Sequence, residues 1–276
     1  MLLITGARGQ LGTCLEDILG DTARYVDMDE LDITNEKAVA DFFKSDKYDC
    51  VVNCAAYTAV DKAEDEPEIA NAVNHIGAGN LAKYGRNIIH LSTDYVFDGL
   101  ANSLYSETSN CNPQSVYGAT KLAGELAVME NAESAAIIRT AWLYSPYGNN
   151  FVKTMLKLGS QKDEINVVYD QHGTPTNARD LSDVILKIAP MVNGGFKEIF
   201  HYTNEGYVSW YEFAKNIMKL SGLNCNVNPI TTAQYPTKAK RPEYSVLDKS
   251  KIIKTLGIEI PEWRVSLKEC IKELVR

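Results

Sequence analysis

Apolar positions along the chain fall into two alternating patterns. Short runs rich in β-branched residues cover 2–5, 24–28, 49–54, 87–92, 135–140 and 165–169, and each reads as a strand. Several are apolar on both faces, as in a parallel sheet covered by helices on either side. Between them, residues 11–19, 35–44, 67–83 and 116–130 carry apolar residues at helical spacing. Pro67 suits a first helical turn and Gly85 a C-terminal stop. The β-α-β-α order persists for at least five strands, which predicts an α/β, doubly wound parallel sheet of the Rossmann type.

Beyond about residue 145 the alternation loosens. Gly148-Asn149-Asn150, Gly173-Thr174-Pro175-Thr176 and Gly194-Gly195 read as loops, and 222–246 has little periodicity. Residues 264–275 form an amphipathic helix with Val265, Leu267, Ile271 and Leu274 on one side. The expected division is a dinucleotide-binding domain from 1–150 and about 165–200. A smaller C-terminal substrate-binding domain takes about 151–164 and 201–276 and shares helices with the first.

The length of 276 residues suits this arrangement. No apolar run approaches the roughly 20 residues of a membrane span, and the first residues lack the basic and apolar regions of a secretory leader. A net charge of -8 argues against sequence-independent binding of nucleic acid. The six cysteines (14, 50, 54, 111, 225 and 270) form no CxxC pair, and the four histidines (75, 90, 172 and 201) are scattered. Reduced thiols, no metal and a cytoplasmic location are therefore expected.

Chemistry enters at the first βα junction. Thr5-Gly6-Ala7-Arg8-Gly9-Gln10-Leu11-Gly12 places glycines where a tight turn brings backbone close to a pyrophosphate, beside the positive end of a helix dipole. Gly6, Gly9 and Gly12 are thus candidate cofactor residues, although tight βα turns use glycine for their own reasons. Asp27, at the end of the second strand, suits the adenosine ribose hydroxyls and opposes a 2′-phosphate, whereas Arg8 favours one. NADPH and NADH both remain open. Asp32 and Ile33 follow in a loop where they can cover the adenine edge, with Thr34 or Asn35 capping the next helix.

Tyr117 and Lys121 lie four apart on a helix and so on one face. An ammonium beside the phenol, together with an oxidised nicotinamide, is expected to lower the phenol pKa and suit it to proton exchange with a carbonyl oxygen. Ser92-Thr93-Asp94-Tyr95 follows an apolar strand, at the sheet end where ligands bind in this architecture. Small residues in Asn53-Cys54-Ala55-Ala56-Tyr57 let a cofactor lie close to the backbone.

These segments carry a resemblance. ITGARGQLG, NCAAYTAVDKAE, LSTDYVFDG, VYGATKLAGE, RTAWLYSPYGNNFVKTML, DQHGTPT and Arg241-Pro242 together resemble the dTDP-4-dehydrorhamnose reductase family of the extended short-chain dehydrogenase/reductases. The resemblance runs from Ile4 to the C-terminal helix. It implies reduction of the C4 ketone of dTDP-4-dehydro-β-L-rhamnose with NADPH or NADH. By it, Thr93, Tyr117 and Lys121 match the catalytic trio. Gly9, Gln10, Leu11, Asp27, Asp32, Ile33, Ala55, Ala56 and Tyr57, with the trio, match cofactor contacts. Thr93, Asp94 and Trp142 match sugar contacts. Dehydratases of the same fold carry a glutamate where this chain has Tyr95, which disfavours water elimination.

Arg241, in a local basic loop with Lys238 and Lys240, is the candidate for a substrate diphosphate contact. Asn149, Asn150, Phe151 and Lys153 are further candidates. Where some members of the family pair through glutamate-held magnesium, this chain has Cys14, Arg179 and Arg264, so a metal-free monomer or a differently built homodimer is expected, with Glu16 close to the first position. Two rivals remain. One is a reductase of another nucleotide-linked 4-ketosugar. The other is a non-catalytic subunit like the regulatory subunit of methionine adenosyltransferase.

Overall fold

The computed structural model describes residues 1–45 and 47–275. The strands are β1 (Leu2–Thr5), β2 (Ala23–Val26), β3 (Cys50–Asn53), β4 (Asn87–Thr93), β5 (Ser134–Thr140), β6 (Leu143–Tyr144), β7 (Glu164–Val168), β8 (His172–Gly173), β9 (Thr176–Asn177), β10 (Lys197–His201), β11 (Val208–Ser209) and β12 (Asn226–Ile230). The helices are α1 (Gln10–Leu19), α2 (Glu36–Ser45), α3 (Val60–Ala63), α4 (Pro67–Asn71), α5 (Ala78–Gly85), α6 (Val116–Asn131), α7 (Phe151–Gln161), α8 (Ala178–Ile188), α9 (Trp210–Ser221), α10 (Ser250–Leu256) and α11 (Trp263–Leu274).

Six strands form one parallel sheet in the order β10-β5-β4-β3-β1-β2. Strand order reverses between β1 and β3, and that switch point opens a crevice beyond the carboxyl ends of the strands. Two cores cover the sheet. Ile4, Val52, Ile89 and Ile138 face α1 and α8 through Leu15, Leu181 and Ile185. Leu3, Val51, Ile88 and Ile137 face Val39, Leu81 and Val128 on the other side. Neighbouring residues of one strand enter opposite cores, which is why these strands read as continuously apolar.

A third core gathers Met155, Ile165, Phe213, Ile217, Trp263 and Leu267 from α7, β7, α9 and α11. The segment at 165–169, expected among the strands of the doubly wound run, is corrected here. As β7 it pairs in parallel with β12, outside the main sheet. Its alternating exposed and buried positions are those of a strand with one wet face. The helix expected over 67–83 is also divided: α4 passes into one turn of π-helix at 72–77 before α5. Arg86, not Gly85, takes the positive φ (65°) that ends α5. Among the described residues no helix is long and apolar enough to cross a membrane.

Candidate active site

The turn after β1 is held by close approach. Gly6 adopts φ 65°, and a Cβ there would lie 2.6 Å from the Ala55 nitrogen. At Gly12 a Cβ would lie 2.5 Å from the Ala7 carbonyl oxygen. These contacts seat α1 with Gly9 as its N-cap, and no side chain caps the helix N–H groups. They face a groove of about 710 Å³ lined by Gly6, Gly9, Asp27, Asp32, Ile33, Ala55, Ala56 and Tyr57. Eight expected cofactor positions thus converge on one space.

The Asp27 carboxylate accepts the Arg8 backbone N–H at 3.0 Å and that of Met28 at 2.8 Å. The Arg8 guanidinium pairs with Asp29 at 2.7 Å, both exposed. Asp32 folds back on Thr34, accepting its N–H and its hydroxyl, while Asn35 accepts the Ala38 N–H and begins α2. Tyr57 donates its hydroxyl to Glu66 at 2.7 Å.

The groove meets a second cavity, of about 610 Å³, at Gly9, Cys54 and Ala56. Gln10, Leu11, Thr93, Asp94, Tyr117, Lys121, Trp142, Asn149 and Asn150 line it. The end of β4 supplies Thr93 and Asp94, the first turns of α6 supply Tyr117 and Lys121, and the loop after β5 supplies Trp142. Ser115 caps α6 by accepting the Gly118 N–H at 3.1 Å, which fixes where Tyr117 emerges. Gln10 Oε1 accepts from both Ser145 and Asn150, tying α1 to the far wall.

In the chain alone, without a nicotinamide, Lys121 does not set the pKa of Tyr117. Burial pushes the Tyr117 phenol above its ordinary value, Asp94 and Tyr95 add to the rise, and the hydrogen bond with Thr93 opposes it. Lys121 is drawn between α6 and β4, where its Nζ donates to the Leu91 carbonyl at 2.5 Å. Burial lowers its pKa to about 8, against smaller upward pulls from Glu125 and Cys54. The pair shares a helix face, as expected, and in the free chain burial sets the direction for both groups. Asp94 is also buried, and burial raises its carboxyl to about 6 although Thr93 donates its hydroxyl to it at 3.0 Å.

Arg241 does not line either space. Its guanidinium donates to the Tyr95 hydroxyl at 3.0 Å and pairs with Asp61, so it reaches the cavity only through Tyr95. The acidic run at 61–68 supplies that partner, and within it Asp65 pairs with Lys238. Phe151 stacks in the third core, and Lys153 donates to the Pro146 carbonyl at 3.0 Å. Cys14 is buried, Arg179 pairs with Asp17 at 3.3 Å, and Arg264 lies against Glu262.

One wall was not anticipated. Trp210, at the start of α9, lines the cavity and stacks on Trp142 with ring centroids 3.5 Å apart and planes 10° from parallel. Trp142 adopts φ 48°, costly for a bulky residue, and Gly173 leaves room beneath its ring. The sequence pattern places Trp210 beside a capping box, Ser209 with Glu212, but nothing local ties it to the site.

Residues 1–276 match the family model described as the RmlD substrate binding domain. The dTDP-4-dehydrorhamnose reductase of Aggregatibacter actinomycetemcomitans is 44% identical over 284 residues, with 97% of each chain covered. A crystal structure of a dTDP-4-dehydrorhamnose reductase from Clostridium acetobutylicum superposes with a TM-score of 0.94 at 46% identity, covering 100% of this chain and 99% of that one. The enzyme of the same name from Bacillus anthracis, solved in complex with NADP, gives a TM-score of 0.94 at 39% identity, over 99% and 98% of the two chains. The chain belongs to the dTDP-4-dehydrorhamnose reductase family.

Proposed function

We propose that this chain is an NAD(P)H-dependent oxidoreductase that reduces the C4 ketone of dTDP-4-dehydro-β-L-rhamnose to dTDP-β-L-rhamnose. The observation that carries the reading is the meeting of the two spaces at Gly9, Cys54 and Ala56. A dinucleotide held in the groove would bring its redox end to the cavity where Thr93, Tyr117 and Lys121 gather.

The groove fits such a ligand on its own terms. Open N–H groups at the start of α1 suit a pyrophosphate, and Asp27 suits ribose hydroxyls. The reduced nicotinamide supplies a hydride. Tyr117, with its pKa raised, keeps its proton at neutral pH and gives it to the C4 oxygen as charge develops there. Thr93 orients that oxygen through its hydroxyl. The half-buried phenol is held edge-on by the Tyr95 ring, centroids 5.4 Å apart. Lys121 in its charged form favours the phenolate left behind and binds the nicotinamide ribose. Trp142 and Trp210 offer a flat apolar wall to the sugar ring. Asp94 is a polar contact for the sugar, and Arg241 supports the nucleotide end through Tyr95 and Asp61.

The third core serves as the substrate-binding domain, and the chain works in the cytoplasm as a monomer or homodimer without nucleic acid. The test is consumption of NADPH and of NADH, followed at their near-ultraviolet absorbance, with the dTDP-linked ketosugar as substrate. Turnover of the dTDP-linked 4-ketorhamnose above other nucleotide-linked 4-ketosugars is expected. No turnover with any ketosugar would point to the non-catalytic subunit, and preference for another ketosugar to the second reductase reading.

A further inference from the structure

Behind the cavity runs a buried polar string with no part in the reduction as derived above. Thr5 donates its hydroxyl to Asn53 Oδ1 at 2.8 Å, and the Ala55 N–H donates to the same oxygen at 3.1 Å. Two donors on one oxygen fix the orientation of the Asn53 amide. Its Nδ2 therefore faces His90 Nδ1, at 3.0 Å. An amide nitrogen only donates, so Nδ1 must accept. His90 is fully buried, and burial with the nearby Lys121 holds its pKa well below the ordinary histidine value, which keeps the ring neutral. A neutral ring that accepts at Nδ1 carries its proton on Nε2.

Nε2 faces Lys121 Nζ at 3.4 Å, so a donor is aimed at a donor. The ring is confined there by α6. A Cβ on Gly124 would lie 3.6 Å from Nε2 and 2.1 Å from the Asn74 carbonyl oxygen, so the helix already sits as close as glycine allows. On its other side Lys121 donates to the Leu91 carbonyl.

We propose that His90, locked as its Nε2–H tautomer by Asn53, is a positioning residue for Lys121 that turns the remaining ammonium N–H bonds toward the cavity and lowers the pH at which Lys121 loses its charge. The inference rests on the role given to Lys121 above. The other groups facing Lys121 are Glu125 on α6 and Cys54 after β3, and both favour the ammonium, while Tyr117 lies one turn away on the same helix face. The N–H of His90 is the polar group that opposes the charge. It also joins the turn that seats the dinucleotide, through Thr5 and Ala55, to the lysine.

The test reads the free protein. Nitrogen NMR of the histidine-labelled chain is expected to give His90 protonated at Nε2 and bare at Nδ1. Carbon NMR of labelled lysine, with Lys121 identified by its loss in Lys121→Arg, gives the titration midpoint directly. In His90→Leu that midpoint is expected to rise by about one pH unit, roughly tenfold in proton concentration. In His90→Gln, whose oxygen can accept from Asn53 while its N–H still faces Lys121, it is expected to stay within about 0.3 unit of the parent. A proton on Nδ1, or an unmoved midpoint in a folded His90→Leu, overturns the proposal. The tautomer measurement needs no variant, so a failure of His90→Leu to fold leaves the question answerable. Neither readout requires turnover. An inactive protein with the expected spectra would count against the proposed reduction and not against the role of His90.

Discussion

The groove and the cavity that join at Cys54 are built from different material. The groove is shaped mainly by backbone: the Gly6 turn against Ala55, the start of α1, and the Asp27 carboxylate held by two amide N–H groups. The cavity is shaped by side chains from segments far apart in sequence, Tyr117 and Lys121 on α6, Trp142 after β5 and Trp210 on α9. A backbone site tolerates change in most side chains but not in its glycines. A side-chain site has the reverse sensitivity, and there the proposed chemistry rests on a single hydroxyl.

That contrast is sharpest at Tyr117. Tyr117→Phe removes the proposed proton donor at a position outside the groove. Its kcat is expected to fall about 10²–10⁴-fold, with cofactor affinity unchanged in a fluorescence titration. Undiminished turnover in the variant would end the assignment of the donor. The opposite lesion is Gly6→Ala, where φ 65° and the 2.6 Å approach to Ala55 leave no place for a methyl group. Stability is expected to drop by about 1–3 kcal/mol and cofactor binding to weaken, both read by thermal melts with and without NADPH. Tight NADPH binding by this variant would show that backbone approach does not shape the groove.

A third test concerns the buried acid of the cavity. The Asp94 carboxyl is raised to about 6 in the folded chain, above its unfolded value. The folded state therefore holds this proton more tightly. The corresponding share of stability is present at about pH 4 and is lost as pH rises through about 6. Asp94→Asn abolishes the titration, so parent and variant are expected to diverge by roughly 2–3 kcal/mol between pH 4 and 7 in urea unfolding. Parallel pH curves would place the carboxyl in a more polar setting. The smallest effect is expected at the groove rim. Asp27→Ala should weaken NADH by about 1 kcal/mol, roughly fivefold, and NADPH by less, since the lost acceptor serves a ribose hydroxyl that NADPH lacks. Equal losses for the two cofactors would remove Asp27 from that discrimination.

The same contrast explains what the sequence discloses. Strands β1, β3, β4 and β5 are buried on both faces because helices cover both, while the edge strand β2 exposes Arg24, and the glycine turn sits at a junction that local pattern alone identifies. Tyr117 and Lys121 are readable together because helical spacing joins them. What local pattern leaves out depends on long-range packing. Trp210 becomes a wall only by stacking on Trp142, 68 positions earlier in number but 3.5 Å away in space. Arg241 looks like a free cation until Asp61 and Tyr95 are seen to hold it. The Tyr117 pKa in the free chain is hidden for a related reason: spacing reports that a charge is near, while burial, which dominates here, belongs to the folded whole. At β7, alternation was present as a sign of one wet face, but its partner β12 lies some sixty residues further on, among residues without periodicity.

Stacked indoles at the mouth of a ligand cavity have an optical consequence. Two of the three tryptophans, Trp142 and Trp210, stand face to face on the cavity wall, and the third, Trp263, is enclosed in the third core. On the proposed reading, sugar entering against that pair would change the surroundings of two emitters at once while leaving the third as it was. The chain would then carry its own fluorescent gauge of occupancy, with an internal reference and no attached dye.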